Sequence, residues 1–271
     1  MSQIDLMKKL ILVDLVNAHA ALPTRGLPAV DSPILFISML ALYIFCVVGG
    51  LGTIRRSRTR RCRRQEPSAL RYLVLAHNAF CTCLSFYMAY GLLSSAYNPR
   101  YSVWGNAYNE EEKSMAHYIY VFYMSKMVEF LDTIIMLLKR NVRQVTVLHV
   151  YHHVSVAIIW WIISYHAPGA YISAALNSIV HVFMYLYYFL SALWTDDMKR
   201  KQRYLFWGKY LTQMQMLQFT INMVQAMYSI IFKSPYPQFL CKILLGYMIS
   251  LLILFYNFYT KKYKLPKQHH H

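Results

Sequence analysis

Three histidines fall within one turn and a half of sequence: His149, His152 and His153, in Leu148-His149-Val150-Tyr151-His152-His153-Val154. Spaced i, i+3 and i+4, they occupy about a third of a helix circumference and form one polar cluster. The run around them is apolar enough to cross a membrane, where imidazole needs a partner or a task. A lone core histidine is satisfied by a neighbouring carbonyl. Three on one face suit nucleophilic or acid–base chemistry, or metal ligation.

Other polar residues interrupt apolar runs in the same way. Lys126, Glu129 and Asp132 stand at i, i+3 and i+6; Asn177 and His181 at i and i+4, followed by Tyr185 and Tyr188; Thr212, Gln215 and Gln218 repeat every three residues; His77 and Asn78 are adjacent. A charge facing lipid at mid-depth costs about 2.5–3.5 kcal/mol on the insertion scale, so Lys126, Glu129 and Asp132 are expected to face inward. A structural Lys126–Glu129 ion pair and a substrate-binding group are both compatible with that spacing.

The elements that must position these residues follow from composition. Of 271 residues, 57% are hydrophobic, 16% aromatic and 14% charged, too apolar a balance for an ordinary soluble domain. Apolar runs at 34–54, 69–94, 115–138, 144–165, 170–193, 204–232 and 238–260 predict an all-α polytopic membrane protein with seven transmembrane helices. No linker or internal repeat divides them, so residues 1–268 are read as one transmembrane domain. Residues 1–31 form its amino-terminal segment and 261–268 its tail, while His269, His270 and His271 resemble the stub of a purification tag.

Basic residues mark every second connection. Seven arginines lie between Arg55 and Arg64; Lys139, Arg140 and Arg143 follow, then Lys199, Arg200, Lys201 and Arg203, then Lys261, Lys262 and Lys264. The intervening loop at Glu110, Glu111 and Glu112 is acidic. The expected orientation is therefore a lumenal amino terminus and a cytosolic carboxyl terminus. The net charge of +17 reads as topology and as attraction for membrane lipid or a phosphate-bearing substrate, with no nucleic acid implied. Near the start, Lys8 and Lys9 precede Leu10-Ile11-Leu12-Val13 and Ala18-His19-Ala20 resembles a cleavage site, but Asp14 breaks the run; an interfacial amphipathic segment is expected. Cys46, Cys62, Cys81, Cys83 and Cys241 sit in spans or on the cytosolic side, and no structural disulfide is expected.

Counting about 1.5 Å per residue brings five of these helices' polar groups to one layer in the middle or cytosolic half of the membrane, leaving the lumenal half apolar. That geometry suits a long amphipathic substrate. Its head would lie among cytosolic basic residues, its reactive carbon at the histidines, and its tail in a greasy channel, the shape of an acyl thioester of coenzyme A. The residues alone name no reaction.

The motifs resemble those of the fatty acid elongases, the membrane 3-ketoacyl-CoA synthases of the endoplasmic reticulum. The similarity rests on His149-Val150-Tyr151-His152-His153, on Lys126-Met127-Val128-Glu129-Phe130-Leu131-Asp132-Thr133, on Asn177 with His181 to Tyr188, and on Thr212 to Phe219. It covers the second to seventh spans. Gln144 and the Val150-Tyr151 pair resemble the branch acting on polyunsaturated chains. The resemblance implies six helices ringed around a closed acyl tunnel with one helix outside, and condensation of acyl-CoA with malonyl-CoA to a 3-ketoacyl-CoA, carbon dioxide and coenzyme A. It implies His152 as the nucleophile of an acyl-imidazole intermediate, with His149 and His153 as base or orienting partners and His181, Asn177 and Gln215 as oxyanion donors. Lys126, Glu129, Asp132, Tyr185, Tyr188, Thr212, Gln218, His77 and Asn78 become substrate-binding candidates. No metal or other cofactor is expected, and a homodimer working beside the ketoreductase, dehydratase and enoyl reductase of the elongation cycle is.

Two features depart from the family. Leu265-Pro266-Lys267-Gln268 does not fit a lysine-bearing retrieval signal, and the turn His166-Ala167-Pro168-Gly169-Ala170-Tyr171 is short. Membrane di-iron desaturases and hydroxylases share the box spacing but need several boxes, and His19, His117 and His166 lie near lumenal ends. A seven-helix receptor or transporter would explain the spans and buried charges, but not four ordered motifs converging at one depth.

Overall fold

A computed structural model describes residues 21–56, 67–97 and 101–264. The described residues contain no strand. Seven long helices form: α1 (Pro33–Arg56), α2 (Ser68–Ala96), α3 (Lys113–Leu138), α4 (Val147–His166), α5 (Tyr171–Leu193), α7 (Gly208–Ile231) and α8 (Gln238–Tyr259). A short helix, α6 (Met198–Tyr204), precedes α7, and a π turn, Thr260–Lys264, extends α8. The chain is an all-α, multi-pass membrane protein.

Five of the long helices, α1, α2, α4, α5 and α8 with its extension, are long and apolar enough to cross a membrane by themselves. The other two match them in length but not in composition. α3 carries Lys126, Glu129 and Asp132, and α7 carries a run of glutamines and Asn222. Such helices are stable in hydrocarbon only when neighbours cover the polar face.

The packing supplies that cover. α2 lies against α3, α3 against α4, α4 against α8, α8 against α7, α7 against α5, and α5 back against α2, a closed ring of six. α1 stands outside it, against α3. The outward side of α1 exposes Ile34, Phe45 and Val48, as a lipid-facing surface does, while Phe36, Tyr43 and Val47 are buried. On α2, Gly91 admits the ring of Tyr118 from α3 into the space a side chain would fill.

Local signals explain several helix ends. Thr146 caps α4 by accepting from the His149 amide at 3.1 Å, which fixes where the histidine box begins its helix. Asp197 caps α6 through the Arg200 amide at 2.9 Å. Gln144 falls in the turn before α4 rather than inside a helix, and the expected span at 204–232 begins at the last residue of α6, passes through a turn and continues as α7. At the opposite end of the ring, residues 21–31 lie across α3 and α4: Thr24 Oγ1 donates to the Ser164 carbonyl at 2.7 Å, and Trp161 Nε1 donates to the Val30 carbonyl at 3.2 Å. The amphipathic segment expected before them, Cys62, and the terminal Leu265 to His271 lie outside the described residues.

Candidate active site in the helix ring

The polar stripe of α3 is the hub. Lys126, Glu129, Asp132 and Thr133 follow one another along one side of the helix, and each reaches a different neighbour. Lys126 Nζ lies 2.7 Å from Glu129 Oε1 and donates to Asn177 Oδ1 on α5 at 3.1 Å. Ser125 Oγ also donates to Glu129 Oε1, at 3.4 Å. His181 Nδ1 of α5 lies 3.3 Å from the same oxygen, within ion-pair range but without the alignment of a hydrogen bond.

Asp132 forms a second group facing another way. Its Oδ1 accepts from His77 Nε2 of α2 at 2.7 Å, and its Oδ2 from the Tyr185 hydroxyl of α5 at 2.7 Å. A carboxylate only accepts, so this contact places the His77 proton on Nε2. Cys81 Sγ sits 3.9 Å from the other nitrogen of that ring.

The histidine box closes the layer from α4. His149 Nε2 is 2.8 Å from Thr133 Oγ1, and that hydroxyl is 3.0 Å from the Tyr43 hydroxyl of α1. The rings of His149 and His153 stand 4.4 Å apart, and those of His152 and His153 5.7 Å. His153 is buried beside Tyr43 and Phe130, and its Nδ1 has no hydrogen-bond partner. His152 Nδ1 lies 3.2 Å from the Tyr247 hydroxyl of α8, which is itself 3.2 Å from Ser155 Oγ.

Most of the residues singled out in the sequence thus meet in one layer: His77, Lys126, Glu129, Asp132, His149, His152, His153, Asn177, His181 and Tyr185. α7 contributes a stripe. Thr212 and Gln218 are buried, Gln218 Oε1 lacks a partner, and Gln215 Nε2 donates to Met184 Sδ at 3.7 Å. Two expected residues do not join the contacts. Asn78 is buried, but its Nδ2 donates to the Val74 carbonyl of its own helix at 2.8 Å. Tyr188 is 42% exposed at the ring's flank, with its ring edge-on to Tyr185.

Other residues join that the sequence did not single out. Thr133 follows Glu129 by four and has a readable signal in that spacing. Cys81 and Ser155 likewise follow His77 by four and His152 by three on their own helices, whereas Tyr43 and Tyr247 have no such signal, since each reaches the site from another helix. Asn222, one turn beyond Gln218, is 1% exposed with Oδ1 unpartnered, and Ser178 is fully buried on α5. The far half of the ring is therefore less uniformly apolar than expected. Toward that end a cavity opens among α4, α5, α7 and α8, lined by Ile163, Tyr171, Ala226, Tyr236, Leu240 and Leu244 among others. Ile163 is about 16 Å along α4 from His152.

Chemically, the layer combines imidazoles with free nitrogens, a buried cation, amide donors and a mostly apolar cavity beyond. Among the described residues no three His, Cys, Asp or Glu side chains converge as ligands for a metal ion. The family model described as the GNS1/SUR4 family, ELO, matches residues 28–271. The chain is 46% identical over 203 residues to fatty acid elongase 6 of Leishmania major, covering 72% of this chain and 53% of that protein. It thus spans about half the length of that relative. To very long chain fatty acid elongase 5 of Xenopus tropicalis it is 35% identical over 244 residues, 88% of this chain and 78% of the relative. To the human protein of that name it is 36% identical over 206 residues, 74% and 67% of the two chains.

Proposed function

Because the chain belongs to the GNS1/SUR4 family of elongases, we propose that it is the condensing enzyme of fatty acid elongation, a very-long-chain 3-oxoacyl-CoA synthase. It joins a long-chain acyl-CoA to malonyl-CoA and releases carbon dioxide and coenzyme A. The observation that carries this reading is the histidine box meeting α3 and α5 inside a closed ring, with an apolar cavity toward the other end.

The reaction divides into two steps. His152 Nε2 attacks the thioester carbonyl, the nitrogen–carbon bond forms as the carbon–sulfur bond breaks, and coenzyme A leaves with the electron pair. The acyl group is then held on an imidazole, itself a good leaving group, in a site screened from water. Malonyl-CoA loses carbon dioxide, and the enolate carbon so formed attacks the acyl carbon, restoring the ring. Asn177 uses its carbonyl oxygen on Lys126, which leaves its amide hydrogens for a developing oxyanion. His181 and Gln215 stand as further donors, and His149 and His153 as base or orienting partners. The remaining candidates, Thr212, Gln218, Tyr185, Tyr188, His77 and Asn78, fall to substrate binding, as do Lys126, Glu129 and Asp132 through the groups they hold.

The substrate is read as a polyunsaturated chain, in keeping with Gln144 and the Val150-Tyr151 pair, and no resident cofactor enters the scheme. The setting is the endoplasmic reticulum membrane, with seven spans, a lumenal amino terminus and the histidine end facing the cytosol. The protein acts as a homodimer beside the ketoreductase, dehydratase and enoyl reductase that process its product.

Acyl-CoA supplied without malonyl-CoA tests the central step. One equivalent of coenzyme A should be released and an acyl adduct should appear on the peptide carrying Tyr151 to Val154. Malonyl-CoA should discharge it as 3-ketoacyl-CoA, and His152→Ala should abolish it. Coenzyme A release that strictly requires both substrates, with no trapped adduct, would replace this course by direct condensation.

A further inference from the structure

The inner face of α7 carries a polar stripe of which only the two ends are paired. Gln215 Nε2 donates to Met184 Sδ of α5 at 3.7 Å, Gln225 Nε2 to the Val103 carbonyl at 2.7 Å, and Ser229 Oγ to the Trp104 carbonyl at 3.0 Å. Between them, Gln218 Oε1 and Asn222 Oδ1 have no hydrogen-bond partner, although the two residues are only 5% and 1% exposed. Buried polar atoms are nearly always partnered, and one that finds nothing in its own protein is a place where a ligand gains by supplying the contact.

Helix geometry turns both side chains toward the space the acyl tail would take. α7 lines the far cavity with Gln225, Ala226 and Ser229. Successive residues turn by about 100°, so these three span roughly 100° of the helix surface, and Gln218 and Asn222 fall inside that sector. Along the axis Asn222 stands about 6 Å and Gln218 about 12 Å before Ala226. In that direction lies Gln215, whose partner Met184 adjoins Tyr185 of the polar layer. A chain running from the histidines into the cavity therefore passes both oxygens. Measured from Gln215 they lie about 4–10 Å along α7, and an extended chain of 1.5 Å bonds advances about 1.3 Å per carbon, which sets them beside roughly the fourth to ninth carbons.

We propose that Gln218 and Asn222 form a subsite for the unsaturated stretch of the acyl chain and so determine specificity for where its double bonds lie. The inference rests on the condensing-enzyme reading above. Amide oxygens accept, and an acyl tail has no N–H or O–H to give them. A saturated methylene is a negligible donor. Vinylic C–H groups, and the methylene held between two cis double bonds, are polarised enough to make C–H···O contacts. A saturated chain drives water from the two oxygens and leaves them unpaired, whereas one with double bonds at this level pairs both. Discrimination arises in the same way wherever a buried polar group is matched by one substrate and stranded by another. The deeper lining, Ile163, Leu240 and Leu244, is apolar and treats both kinds of chain alike.

The test sets three eighteen-carbon substrates in competition on the full-length protein with malonyl-CoA, and reads relative kcat/KM from the masses of the 3-ketoacyl-CoA products. They are γ-linolenoyl-CoA, whose first double bond starts at carbon six, α-linolenoyl-CoA, with none before carbon nine, and stearoyl-CoA. The unsubstituted protein should favour γ-linolenoyl-CoA over stearoyl-CoA by about five- to thirtyfold, the ratio that two weak contacts supply, with α-linolenoyl-CoA between them. Asn222→Leu should reduce that preference by about two- to fivefold, as should Gln218→Met, which tests the same subsite if Asn222→Leu does not fold. Together they should bring the ratio to within about twofold of unity, the size of one weak contact at most. Asn222→Thr keeps an accepting oxygen and should keep the preference. Because Asn222 Oδ1 has no partner in the protein, Asn222→Leu should melt no lower than the parent. Ratios unchanged in the double variant, or an equal loss on all three substrates, would overturn this inference alone, as would a parent that does not prefer γ-linolenoyl-CoA to stearoyl-CoA. Absence of any 3-ketoacyl-CoA from the parent would overturn the condensing-enzyme reading and this inference with it.

Discussion

Lys126 Nζ and Glu129 Oε1 stand 2.7 Å apart on one face of α3, with side-chain exposures of 1% and 4%. An ion pair so enclosed contributes little net stability against an apolar pair of the same volume, because both ions were taken from water. Its members depend on each other strongly. Lys126→Met should leave the Glu129 carboxylate stranded and cost about 3–5 kcal/mol, as should Glu129→Leu for the ammonium. The double variant should recover most of the thermal stability while remaining inactive, since Asn177 and His181 lose their anchor. Equal melting temperatures in the two single variants and the parent would show that water reaches the pair.

Asp132 should respond differently, because both of its oxygens are used by donors on other helices. Asp132→Asn keeps the shape but turns an amide N–H toward one of two donors. A loss of about 1–3 kcal/mol is expected, the cost of one buried unsatisfied group. His77→Ala combined with Asp132→Asn should cost less than the sum of the singles, a coupling that a double-mutant cycle in thermal melts reads directly.

Tyr43 reaches the histidine box from outside the ring through Thr133. Tyr43→Phe deletes only the hydroxyl and should lower stability by about 1 kcal/mol. Elongation should fall with it, since Thr133 then holds His149 without its own support. Thr133→Val, which removes the direct contact, should reduce activity further than Tyr43→Phe. A reversed order in a condensation assay would argue against the relay running through Thr133.

The far cavity offers a test of where the acyl tail lies. Ala226 is 2% exposed and lines it from α7. Ala226→Leu adds three carbons into that space, and each methylene displaced from a fitting site is worth about 0.8 kcal/mol. The longest acyl chain elongated should shorten, while shorter substrates retain their turnover. An unchanged product profile, with a normally folded variant, would place the tail elsewhere.

Several of these relationships are legible in the amino-acid sequence alone. Helix periodicity puts Lys126, Glu129 and Asp132 on one inward face, and the spacing of His149, His152 and His153 puts them on another, because side chains three and four residues apart on a helix must share a side. The cost of exposing charge to lipid does the rest, and seven long helices stand where the apolar runs predict them, although α3 and α7 are too polar to span on composition alone. Pairing across helices is another matter. The i, i+3 spacing allows the Lys126–Glu129 pair, but nothing in it says that Asp132 turns to His77 and Tyr185, that Asn78 satisfies itself on its own helix, or that Tyr188 is left partly exposed. Those outcomes depend on the rotation of each helix in the ring and on which neighbour arrives within about 3 Å, the range of a hydrogen bond. Tyr43, Ser155 and Tyr247 are residue types common in any aromatic membrane helix. Only the tertiary structure, by closing α4 against α8 and laying α1 on α3, distinguishes them from packing.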